Sequence, residues 1–121
     1  MIAELLALKN QTNVFHWQTP SHAEHVALGG LYDKLDDLVD SFVETYSGAY
    51  GGVEQAAEGG FNASSINYKD NADCIAFCDF AIDYLTNTLT KQVKPECTDL
   101  LNIIADMLGA FNHTKYLLRQ K

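Results

Sequence analysis

His16 and His25 offer imidazole nitrogens, while Asp40 and Glu44, four residues apart, offer carboxylates that a helix would turn toward one cation. All four fall within NVFHWQTPSHAEHVALGGLYDKLDDLVDSFVE, residues 13–44. Two imidazoles and two carboxylates with open coordination positions suit iron or zinc better than calcium or magnesium. His25 and Asp40 are fifteen residues apart on what reads as one helix, which at 1.5 Å per residue is on the order of 22 Å. One chain therefore cannot bring both to the same ion. Two copies of that helix packed antiparallel about a two-fold axis would set the His25 end of one against the Asp40/Glu44 end of the other. His22, in the first turn, and Asp36, on the same ridge as Asp40, are secondary candidates. The same residues also read as the wet face of an amphipathic helix, since they lie nearly opposite its Leu/Phe stripe, and spacing alone leaves both readings open.

The elements that must position these groups follow from apolar periodicity. Leu5, Leu8, Thr12 and Phe15 predict a first helix over roughly residues 2–18. Thr19-Pro20-Ser21 ends it, because the residue before a proline avoids helical geometry, and Ser21 caps the next helix with Glu24 placed for a capping box. Helix two, about residues 22–47, carries Leu28, Leu31, Leu35, Leu38 and Phe42, flanked by Val39 and Tyr46. Residues 48–72, rich in Gly, Ser and Asn, keep no period beyond a short helical turn at Val53–Glu58 and read as a long crossover. Helix three, about 71–92, carries Ile75, Cys78, Ile82, Leu85 and Leu89. Helix four starts at Pro95 and carries Cys97, Leu101, Ile104, Leu108, Phe111 and Leu118. Two helical hairpins joined by one long crossover make an all-α, ferritin-like four-helix bundle, a single domain over residues 1–121.

Composition narrows the function classes. A 121-residue chain with 47% hydrophobic residues can bury a core without covalent staples. With 8 Lys and Arg against 16 Asp and Glu, and the basic residues scattered, the summed field opposes phosphate backbones and anionic lipid. Neither DNA nor a membrane is expected as a partner. Cys74, Cys78 and Cys97 sit in apolar helical patterns and read as reduced core thiols, which suits a cytoplasmic protein. No signal-peptide pattern or membrane-length apolar run is evident.

These residues resemble the Dps proteins, mini-ferritins that form twelve-subunit shells and oxidise iron at sites shared across a dimer interface. The likeness rests on HW closing helix one, a histidine early in helix two, LDDLVDSFVE with Asp and Glu four apart, and Gly51-Gly52 after helix two. It implies His16 and His25 as iron ligands from one subunit and Asp40 and Glu44 from its partner. It also implies Fe(II) oxidation by peroxide or dioxygen, and a homo-oligomer that is at least a dimer and up to a dodecamer storing ferric mineral, with zinc as a substitute metal. The chain departs from the family pattern at Gly29, where the family carries a metal-binding aspartate. It also has a shorter segment between the histidines and no lysine-rich tail. The rival expectation is a ferritin-like bundle without chemistry, acting as an assembly or interaction module. His113 lacks a glutamate three residues before it, and Trp17 is expected to pack in the core or against a second subunit.

Overall fold

The computed structural model describes residues 1–53 and 65–120. It is all-helical: α1 is Ile2–Gln18, α2 His22–Tyr50, α3 Asn71–Tyr84 and α4 Thr98–Leu118. α3 runs on through a π-helical turn, Leu85–Leu89, and a 3-10 turn, Thr90–Gln92. α1 packs on α2, α3 on α4, and α2 on α4. Among the described residues no helix is long and apolar enough to cross a membrane. The short turn expected at Val53–Glu58 lies, apart from Val53, outside the described residues.

Periodicity located the inward faces of α1 and α2 well. Leu5, Leu8, Thr12 and Phe15 are all buried, and Thr12 is tolerated there because its hydroxyl donates to the Leu8 carbonyl at 2.8 Å. On α2, Leu28, Leu31, Leu35, Val39 and Phe42 are buried. This helix outlasts its expected end at 47. Tyr46 and Tyr50 stack with centroids 4.3 Å apart, and the Tyr50 hydroxyl accepts the Lys94 N–H at 3.0 Å, so another turn is anchored. Gly51, at φ +82°, then closes the helix in a left-handed conformation that glycine adopts without strain.

α4 differs from expectation in two ways. Pro95 does not open the helix; the Cys97 N–H donates to the Lys94 carbonyl at 2.9 Å, so Pro95 sits in a turn and the helix begins at Thr98. Its buried stripe is Leu100, Ile104, Met107, Phe111 and Leu118, with Leu101 and Leu108 half-buried at its border. Apolar residues stand at both 100 and 101 and at both 107 and 108, so spacing could not choose between the two registers.

Where α3 gives way to its π turn, the Tyr84 hydroxyl is buried and has no hydrogen-bond partner among the described residues. Burial, together with the nearby Glu4 charge, pushes this phenol up to about 12. Tyr84→Phe removes the orphaned group while keeping the ring, and is expected to stabilise the fold by about 1 kcal/mol. A higher urea midpoint with an unchanged m value is the expected reading.

Candidate metal centre

Thr19–Ser21 turns the chain between α1 and α2 and folds the last turn of α1 against the first turns of α2. Ser21 caps α2 by accepting the Glu24 N–H at 3.3 Å. Glu24 does not return the bond as a capping box would. Its buried carboxylate instead accepts the Thr19 hydroxyl at 2.6 Å, the Tyr68 hydroxyl at 2.7 Å and the Asn71 amide, while Asn71 also donates to the Leu118 carbonyl at 2.9 Å. One side chain thus joins the α1–α2 turn to the start of α3, and through Asn71 to the end of α4. Burial raises the Glu24 carboxyl, but these three donors outweigh it and hold the group below the usual range.

Because the folded value is lowered, the stability that Glu24 contributes is present above the ordinary carboxyl pKa of about 4.3 and drains away as pH falls through the folded value. Glu24→Gln faces an amide N–H toward other donors, so it is expected to cost about 2–3 kcal/mol at pH 7. Urea midpoints of variant and wild type should converge as the solution is acidified below pH about 4.

The same turn brings His16 and His25 together. Their rings stack with centroids 3.9 Å apart and planes 15° apart. His16 Nδ1 lies 2.7 Å from the His25 carbonyl oxygen, and His25 Nδ1 lies 2.8 Å from the His16 carbonyl oxygen. A carbonyl only accepts, so each Nδ1 is the donor, which leaves Nε2 of each ring as the nitrogen that can serve as a ligand. A backbone partner on one imidazole nitrogen, with the other left basic, is the arrangement that orients histidines as metal ligands. His25 is exposed and His16 half-buried, so solutes can reach the pair.

Gly29 makes this pair possible. A Cβ at position 29 would fall 2.8 Å from His16 Cε1 and 3.1 Å from its Nδ1. A side chain at this position would have to displace the His16 ring from where it stands. At Gly30, by contrast, an added Cβ meets nothing within 4 Å.

The other expected ligands lie elsewhere. Asp40 and Glu44 are exposed on α2, well down the helix from the histidines. Asp36 is held by Lys9, whose ammonium meets its carboxylate at 2.7 Å and stands 5.9 Å from the Tyr32 ring centroid. His22 is exposed, its ring centroid 6.4 Å from that of His25. Among the described residues no group of three or more His, Cys, Asp or Glu side chains is placed to hold a metal. The histidine pair and the Asp40 and Glu44 carboxylates therefore stand at separate places along the chain. Cys74 and Cys78 add nothing to either. Burial first, and nearby acidic groups second, push both thiols up to about 12, and it is the thiolate that binds metal. Trp17 does not pack in the core, being 71% exposed beside His16, and Val26 is exposed beside His25.

Periodicity gave no sign of the roles of Gly29 and Glu24. The sequence marked Gly29 by its place one helical turn after His25, where the Dps pattern has an aspartate, but not by its packing against His16. Glu24 carried no such signal, because two of its partners are more than forty residues away.

Residues 16–118 match the model of a family of unknown function, DUF5856. The chain belongs to that family. A relative described as an uncharacterized 14.6 kDa protein in the mobD-ri intergenic region of Enterobacteria phage T4 is 31% identical over 114 residues. That match covers 94% of this chain and 81% of the relative. No solved structure matches. The stretch shared with the DUF5856 model opens at His16 and so contains both histidines, Gly29, Asp40 and Glu44.

Proposed function

We propose that the protein is a ferritin-like, Dps-like iron protein that binds Fe(II) between the His16/His25 pair of one subunit and Asp40 and Glu44 of a second. The observation that carries this reading is the reciprocal histidine clamp. Two backbone carbonyls, and a glycine that leaves room for a ring, hold two imidazoles in one place with Nε2 available on each. A clamp of this kind is more specific than a wet helix face requires. The separation of the half-sites along α2 supports a two-chain site, and the exposed Trp17 and Val26 beside the histidines are apolar area that a partner would cover.

At such a site the imidazoles accept Fe(II) and the carboxylates favour the harder Fe(III) product. Two Fe(II) ions supply the two electrons that convert one peroxide to two hydroxide ions, with dioxygen as the alternative oxidant. Ferric product would accumulate within an assembled shell. With net charge −8 and its basic residues scattered, the proposed assembly is expected to repel the DNA backbone.

Crystals soaked in Fe(II) or Zn(II), measured for anomalous scattering, test the site directly. Metal between the histidines of one protomer and the carboxylates of its neighbour is expected, with light scattering reporting a dimer or a larger closed assembly. A protein that stays monomeric at every concentration overturns the reading. An oligomer that leaves both metals unbound assigns the exposed Trp17 and Val26 to assembly alone.

A further inference from the structure

On the other side of α1 from the histidines, a cleft of about 520 Å³ opens between α1 and α3. This is within the size range of sites that bury small organic molecules. Ala7 and Leu8 form one wall, and the rings of Phe77, Phe80 and Tyr84 form the other. Phe80 is 66% exposed, and Ile66 at the rim is also exposed, so apolar surface is left facing solvent here.

The polar groups around the cleft differ in what they have left to offer. Gln11 spends its amide on the Ile66 backbone, donating to the carbonyl at 2.9 Å and accepting the N–H at 2.7 Å. The Tyr84 hydroxyl is closed off from solvent. Glu4 meets the Met1 ammonium at 2.6 Å. Asp73, in the first turn of α3, lines the cleft and joins no ion pair among the described residues. An aromatic wall beside a carboxylate that carries no cationic partner among the described residues attracts a cation through both the ring quadrupoles and the charge, and it repels an anion of the same shape.

We infer that this cleft binds a small organic cation, its apolar body against Phe77, Phe80 and Tyr84 and its ammonium group toward Asp73. The site is independent of the proposed iron chemistry and uses none of its residues.

Three probes with one ring system separate shape from charge: 2-naphthylmethylamine, 2-naphthalenemethanol and 2-naphthoic acid, each titrated at pH 7 by calorimetry and amide NMR. The amine is expected to saturate the protein, with shifts gathered at Ala7, Ile66, Ala76 and Phe77. The alcohol should bind about threefold more weakly and the acid not at all. Asp73→Asn should erase the preference for the amine while leaving the alcohol unchanged. Ala76→Trp, on the exposed part of α3 that lines the cleft, should abolish binding of both while the thermal transition stays cooperative. Absence of saturable binding, equal binding of the acid, or full affinity in Ala76→Trp would each overturn the assignment.

Discussion

Mixed dimers of His25→Ala and Glu44→Ala subunits are expected to regain up to about a quarter of the wild-type rate of Fe(II) oxidation, although neither variant alone should oxidise iron rapidly. Each homodimer lacks one half of both sites. In a heterodimer, one site joins the damaged histidine half to the damaged carboxylate half. The other joins two intact halves. Random pairing makes roughly half of the dimers mixed, and each of those holds one working site of two, which gives the quarter. A site built within one chain leaves every subunit missing a ligand, so no mixture recovers. Stopped-flow traces that stay at the single-variant background, with heterodimers verified by mass spectrometry, would reject the shared site. The experiment is sharp because both variants change exposed positions on α2 and neither touches the core.

How much of this was legible before the structure depends on the range of each interaction. The stripes of α1 and α2 were readable because burial of Leu5, Leu8, Phe15, Leu28, Leu31, Leu35 and Phe42 follows from helical period alone. That His16 could join His25 across the tight Thr19-Pro20-Ser21 turn was readable, but the short segment between them left their separation open. What each histidine does with its Nδ1 was not legible, since its partner is the other's carbonyl and depends on how the two helices cross. Asp36 stood on the right ridge, yet Lys9, from twenty-seven residues earlier, claims its carboxylate. Glu24 had the spacing of a capping box, and the long-range donors Tyr68 and Asn71 drew it elsewhere. In each case a local rule was met and a contact distant in sequence decided the outcome.

Gly29 carries the least intuitive expectation. By the Dps pattern, Gly29→Asp restores a metal-binding carboxylate and ought to strengthen iron binding. The packing argues the reverse, because the Cβ that must come with any carboxylate would sit 2.8 Å from His16 Cε1. The ring has to shift, and the bond from His16 Nδ1 to the His25 carbonyl is expected to go with it. Gly29→Asp and Gly29→Ala are both expected to lose about 10- to 100-fold in Fe(II) or Zn(II) affinity, the usual penalty for releasing the group that orients a ligand histidine. Gly30→Ala is the control, since its Cβ meets nothing within 4 Å. It should stabilise the helix by about 0.5–1 kcal/mol and leave the imidazole NMR signals where they are. In both position-29 variants the protected Nδ1–H signal of His16 should disappear, while circular dichroism keeps the helical content. Tighter metal binding by Gly29→Asp, with the His16 signal intact, would show that the glycine is merely a lost ligand and that the ring can yield. Because the aspartate and alanine variants share the clash but differ in the carboxylate, comparing their affinities separates steric loss from any ligand gain.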